Sequence, residues 1–115
     1  CGRPIIFIVV LNGAFIFAAD LIRCIHGDNI QLDTVSLSSY KDGMISTEVV
    51  ELRKDIDLNL NDQYVVIIED ILDTGRTLKY LSDHIMSKYK PFCLKTCTLL
   101  DKPSRRIIDF KADYV

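Results

Sequence analysis

Residues 65–78 read Val65-Val66-Ile67-Ile68-Glu69-Asp70-Ile71-Leu72-Asp73-Thr74-Gly75-Arg76-Thr77-Leu78. Carboxylates such as Glu69, Asp70 and Asp73 accept hydrogen bonds from sugar hydroxyls, or hold a cation through its water. A glycine turn that enters a helix presents unpaired backbone N–H groups to an anion. Thr74 and Thr77 add hydroxyl donors, and Gly75 lets the backbone come close to a ligand. One kind of ligand uses both halves: a sugar carrying a 5′-phosphate, with the phosphate in the turn and the hydroxyls facing Glu69 and Asp70. Acidic residues at a helix start are individually favourable. Three of them beside an anion repel it unless a cation shares the site, which points to Mg²⁺. A plainer reading stands beside this one. Strand, acidic loop and helix also occur without a ligand, and Thr74 then serves only as an N-cap.

These residues need a strand and a helix to hold them. The β-branched run at 65–68 reads as a strand buried on both faces. In an open α/β sheet, ligands bind outside the carboxyl ends of such strands. After the motif, Leu78, Leu81 and Ile85 recur at helical spacing. Tyr89-Lys90-Pro91 stops that helix, because proline disfavours helix in the residue before it. Residues 5–11 (Ile-Ile-Phe-Ile-Val-Val-Leu) form a second buried strand, and Asn12-Gly13-Ala14 a sharp turn. Residues 15–26 follow as a helix, with Gly27 a plausible C′ residue. Two strand-turn-helix units at one sheet edge make opposite walls of a cleft.

Residues 34–39 alternate polar and apolar, which predicts a strand with one polar face. A loop from Ser39 and Tyr40 to Thr47 and a strand at 48–52 complete an antiparallel pair. Long hairpin loops are usually functional or disordered. Residues 53–63 are rich in Asp and Asn and read as a solvated turn. Residues 92–100 predict another strand, with Lys102 just past its carboxyl end. There a lysine can donate to a carbonyl oxygen, or be a plain loop residue. His26 and His84 read as surface or capping residues. The whole predicts an α/β fold: a Rossmann-like core with a mostly parallel sheet, flanking helices and a β-hairpin lid.

The 115 residues suffice for one domain, spanning 1–115, and 49% of them are apolar, which suits a sheet covered on both faces. No apolar run reaches the ~18 residues of a membrane span. A net charge of −2 argues against nucleic acid as the main partner. Cys93 and Cys97 stand four apart on a strand, about 13 Å along one face at ~3.3 Å per residue, too far for one disulfide or one metal. With Cys24 they read as buried free thiols of a cytoplasmic protein. The chain starts at Cys1 without an initiator Met and ends at Tyr114-Val115, in what reads as the start of a strand, so it reads as a fragment of a longer protein.

The run Glu69-Asp70-Ile71-Leu72-Asp73-Thr74-Gly75-Arg76-Thr77-Leu78, after its apolar strand, resembles the phosphoribosyl-pyrophosphate (PRPP) signature of type I phosphoribosyltransferases. It is most similar to the hypoxanthine-guanine branch. Leu11-Asn12-Gly13 resembles that family's pyrophosphate loop, which usually carries a non-proline cis peptide, here between Leu11 and Asn12. Asn12 departs from the Lys or Arg of many relatives. Leu99-Leu100-Asp101-Lys102-Pro103-Ser104-Arg105-Arg106 is similar to bacterial members, and Ala112-Asp113-Tyr114-Val115 to the start of the purine-binding segment.

The resemblance implies transfer of ribose-5-phosphate from PRPP to hypoxanthine or guanine, giving IMP or GMP and pyrophosphate. It implies that Glu69 and Asp70 hold the ribose hydroxyls and Mg²⁺, and that Asp73 takes the purine N7 proton. Thr74, Gly75, Arg76 and Thr77 then anchor the 5′-phosphate, and Leu11, Asn12 and Gly13 the pyrophosphate. Ser39 and Tyr40 belong to a lid, Lys102 reads the purine O6, Tyr114 stacks on the ring and Val115 offers backbone groups. A homodimer or homotetramer is implied as well. Alternatives are a sibling enzyme for xanthine or a pyrimidine, a PRPP-sensing regulator of the same fold, and a receiver-like phosphoacceptor using Asp70 or Asp73.

Overall fold

A computed structural model describes residues 4–11, 13–25, 30–41, 48–72, 75–105 and 111–115. In chain order its elements are β1 (Ile5–Leu11), α1 (Phe15–Cys24), β2 (Ile30–Lys41), β3 (Glu48–Lys54), β4 (Tyr64–Leu72), α2 (Arg76–Lys88) and β5 (Cys93–Asp101). A short 3₁₀ turn, Pro103–Arg105, follows.

β1 is apolar throughout and buried at five successive positions, as a strand covered on both faces must be. It pairs in parallel with β2 on one side and β4 on the other. β5 adds in parallel to β4, and β3 in antiparallel to β2. The sheet order is β3-β2-β1-β4-β5. From β1 the chain steps one way through α1 to β2. From β4 it steps the other way through α2 to β5. The order therefore reverses between β1 and β4, which is where open α/β sheets place a ligand.

Each face of the sheet has its own core. Ile6, Ile8, Val65 and Ile67 pack with Leu78, Leu81 and Ile85 of α2. Phe7, Val9 and Ile68 pack with Ala14 and Ala18 on the α1 side. The alternation along β1 and β4 follows from the two-residue period of a strand. Leu81 and Ile85 are fully enclosed, and such side chains contribute about 1.5–3 kcal/mol each. The mixed α/β sheet with flanking helices is thus as the sequence predicts.

Four local expectations change. The first helix ends at Cys24, with Ile25 already extended, and Gly27 lies outside the described residues. β2 begins at Ile30 rather than Thr34, because Ile30–Asp33 pair with Ile5–Ile8 and gain backbone hydrogen bonds whatever their side chains. Ser39 and Tyr40 stand in β2 rather than in a loop, opposite Val50 and Val49 of β3. Residues 53–63 are not merely a solvated turn, since Ile56 and Leu60 enter the core on the α2 side.

That last segment is held by charge. Asp33 accepts from the N–H groups of Asp57 (2.7 Å) and Leu58 (3.0 Å) and from Lys54 Nζ (3.2 Å). Asp55 meets His84 Nε2 at 3.0 Å and Lys88 Nζ at 3.1 Å, which ties the segment to the last turns of α2. His84 therefore joins two elements rather than capping one. The cysteines are also less enclosed than expected. Cys24 is exposed and Cys93 and Cys97 are half-buried, all three with free thiols. No described helix is long and apolar enough to cross a membrane.

Candidate ligand site at the switch point

Four parallel strands deliver their carboxyl ends to one edge. β1 ends at Leu11, and the next described residue, Gly13, is in a turn. β4 does not end at its carboxylates, as the sequence suggests, but runs through Glu69 and Asp70 to Leu72. Leu72 is buried in the α2-side core and pairs with Asp101, which extends the ladder past the acidic pair. Lys102 follows β5 directly, and its N–H donates to the Leu72 carbonyl at 2.8 Å. This bond fixes Lys102 beside the end of β4, while the residue itself is exposed.

Gly13 and Asp70 are in direct apposition. A Cβ on Gly13 would run into the Asp70 carboxylate, which would have to move to admit it. The two strand-turn units do form facing walls, as expected. Between them opens a cleft of about 590 Å³, lined by Gly13, Asp70 and Ile71 with Ile16 of α1 and Leu99 and Leu100 of β5. Asp20 of α1 also lines it and carries no signal in the sequence beyond its charge.

Glu69 and Asp70 are consecutive near the end of β4, and their carboxyls are close enough to interact. Asp70 faces the cleft. Glu69 is only 7% exposed. Its Oε1 accepts from the Asp70 N–H at 3.0 Å. Burial pushes its carboxyl up to about 9, and the neighbouring Asp70 carboxyl adds to the rise. Glu69 alone is therefore neutral at pH 7, and a cation or a ring of donors is needed to ionise it.

Gly75 begins α2. Its φ of 90° lies in the left-handed region that glycine alone enters freely. It is buried, and among the described residues no side chain caps the helix start. Its carbonyl accepts from the Lys79 N–H at 3.0 Å, so α2 is helical from its first turn. Arg76 and Thr77 occupy that turn, both half-buried. The N-cap is Gly75, where the plainer reading placed Thr74. N–H groups at an uncapped helix start are suited to an anion.

The remaining predicted positions are distributed as follows. Asn12, Asp73 and Thr74 lie outside the described residues. Ser39 and Tyr40 are in β2, and the 42–47 connection is likewise outside. Tyr114 bridges Cys97 of β5 in parallel, with its N–H donating to the Thr96 carbonyl at 3.0 Å and its carbonyl accepting from the Thr98 N–H at 3.0 Å. Where the sequence suggests the start of a strand, the structure has this one isolated bridge beside β5. Tyr114 and Val115 are exposed. Among the described residues no three His, Cys, Asp or Glu side chains gather as a metal cage.

Comparison with known proteins agrees with this geometry. The family model for the phosphoribosyl transferase domain matches residues 2–115. A hypoxanthine-guanine phosphoribosyltransferase of Aquifex aeolicus is 43% identical over 113 residues, covering 98% of this chain and 62% of that protein. One from Streptococcus thermophilus is 45% identical over 115 residues, covering 99% of this chain and 62% of its own length. The crystal structure of a hypoxanthine-guanine phosphoribosyltransferase from Bacillus anthracis, with a HEPES molecule in its active site, superposes with a TM-score of 0.88 at 50% identity, over 99% of this chain and 66% of that one. The chain thus spans about three-fifths of the length of the curated relatives it matches. With the family model matched almost from end to end, the chain belongs to the phosphoribosyl transferase domain family.

Proposed function

We propose that the protein transfers ribose-5-phosphate from PRPP to hypoxanthine or guanine, releasing IMP or GMP and pyrophosphate, and does so in the cytoplasm as a homodimer or homotetramer. The observation that carries this reading is the pairing of Gly13 against Asp70 across the switch point, with the α2 start at Gly75 on the same edge. Together they offer a hydroxyl acceptor and an anion cradle at the two ends of one sugar phosphate. The hypoxanthine-guanine names of the relatives direct the choice of base.

The N–H groups and side chains of Gly75, Arg76 and Thr77 receive the 5′-phosphate, with Thr74. Gly13, with Leu11 and Asn12, receives the pyrophosphate. Asp70 and the adjacent Glu69 take the ribose hydroxyls, directly or through the metal. Asp73 accepts or shares the N7 proton as the base attacks. Lys102 donates to O6, Tyr114 stacks on the ring and Val115 offers backbone groups. The Ser39–Tyr40 end of the hairpin closes over the reacting centre and keeps water from the sugar cation.

The donor set also fits Mg²⁺. One cleft carboxylate, Asp70, and one enclosed carboxyl, Glu69, are too few to cage the ion, but Mg²⁺ is commonly bound through one or two carboxylates plus substrate phosphates. When bound it neutralises charge on the leaving pyrophosphate.

Thermal unfolding of the protein at its natural length, with Mg²⁺ and IMP, GMP, XMP, AMP or UMP in parallel, tests this. Ligand at ~100 times its dissociation constant adds about 2.7 kcal/mol of stability, a shift of several degrees. The expected result is a rise with IMP and GMP but not with AMP or UMP. An equal rise with all five would leave only the phosphate cradle. In the same assay Lys102→Ala is expected to narrow the preference for 6-oxo over 6-amino nucleotides, and an unchanged preference would remove its role.

A further inference from the structure

Thr98 sits in β5 directly across from Glu69 of β4. It is 1% exposed, and its Oγ1 is buried with no hydrogen-bond partner. Burying a hydroxyl in this way costs free energy unless something compensates. The face on which it lies is defined by its neighbours. Leu94, two alternations earlier on β5, packs into the α2-side core, and so do Val65 and Ile67, which share a face with Glu69. Parallel strands in register place Thr98 and Glu69 side by side on that face. The helix lies over it with the apolar Leu78, Leu81 and Ile85. Thr96, the next polar residue on the same face of β5, is already engaged with Asp113, which accepts from its N–H at 2.9 Å. Among the described residues, Glu69 is the polar residue paired directly across from the orphaned hydroxyl.

Thr98 is too enclosed to touch a ligand itself. We propose that Thr98 is a positioning residue for Glu69: its hydroxyl, unpaired in the free protein, donates to the Glu69 carboxyl when that group turns to meet a bound sugar phosphate. The cost of the unpaired hydroxyl stands in the free state and is relieved in the bound state. It thus contributes to affinity rather than to folding. This inference rests on the proposed role of the Glu69–Asp70 pair in holding ribose.

The test uses Thr98→Val and Thr98→Ser in the protein at its natural length, with GMP and Mg²⁺ as the probe. Thr98→Val keeps the shape and removes the hydroxyl; Thr98→Ser keeps the hydroxyl. The expected result is that Thr98→Val unfolds no earlier than the wild type without nucleotide, yet binds GMP about fivefold or more weakly, while Thr98→Ser binds as the wild type does. Adding Thr98→Val to Glu69→Ala is expected to cost no further affinity. Wild-type affinity in Thr98→Val would overturn the proposal, and so would a Thr98→Ser defect as large as that of Thr98→Val, since volume would then be the cause. Failure of the wild type to bind GMP at all would overturn the ribose reading and this inference with it. Binding by the wild type and by Thr98→Val alike would overturn this inference alone.

Discussion

Asp33 and Asp55 near the amino edge of the parallel strands differ from Glu69 and Asp70 at the carboxyl edge in what surrounds them. Burial would raise the Asp33 carboxyl, but the N–H groups of Leu58, Thr34 and Asp57 and the Lys54 ammonium outweigh it and hold it low. Asp55 is likewise partly buried, and the Ile56 N–H, His84 and Lys88 bring it down to about 2. Glu69 is more deeply buried and has one backbone donor, so it goes up to about 9. Carboxylates that are fully paired stabilise the fold. A carboxyl left short of donors lowers stability, and a ligand can make good the deficit. The contrast separates residues that build the structure from residues that await a partner.

Substitutions can break or sharpen this contrast. The largest effect is expected from Asp33→Ala, which strands the Asp57 and Leu58 N–H groups. It should lower stability by about 3 kcal/mol, read by urea unfolding, with nucleotide affinity unchanged. Glu69→Gln should do the opposite. Its carboxyl is raised from 4.5 to about 9 in the fold, so wild-type stability falls as pH rises across that window. The variant escapes this fall, and its advantage should grow steadily as pH rises from 4.5 to about 9, while its response to GMP is lost. A Glu69→Gln variant no more stable than the wild type at pH 8 would end the contrast.

Gly13→Ala pushes on the Asp70 carboxylate, and a tenfold loss of nucleotide affinity is expected, about 1.4 kcal/mol, with little change in unfolding temperature. The smallest effect belongs to Asp55→Asn. The Asp55 carboxyl is lowered from 3.8 to about 2, so its contribution is present above 3.8 and disappears as pH falls through 2. Asp55 is about a third exposed, and solvent screening reduces the loss at pH 7 to about 1 kcal/mol. The two proteins should converge in stability as the pH approaches 2.

Runs with one strong periodicity were readable before any coordinates. β1 matches residue for residue, and Leu78, Leu81 and Ile85 are the buried face of α2, because burial on a strand or helix imposes a period that composition cannot hide. The start of β2 was not readable. Gln31, Leu32 and Asp33 belong to the strand through their backbone pairing with β1, which no side chain announces. Nor were Ile56 and Leu60, two apolar residues among acids and amides whose burial depends on Asp33, far away in sequence. At the site, Gly75 was readable because a glycine turn entering a helix lets the backbone approach a ligand. Gly13 and Asp70 were readable as parts of two facing walls, but their direct apposition needs the β1–β4 pairing. Thr98 had no signal at all, since a threonine in a strand is ordinary until its hydroxyl is seen to lack a partner.

The pairing of β1 with β4 has a kinetic consequence. Ile5 lies beside Tyr64, so the seam beneath the cleft joins distant parts of the chain and cannot close until the loop between them has been ordered. Closing such a loop is entropically unfavourable, and contacts of this kind slow folding. Neither strand-turn-helix unit alone brings Gly13 to Asp70. The binding wall therefore comes into being only with the whole sheet, and any nucleotide that recognises it will select the finished fold over every partly folded form of the chain.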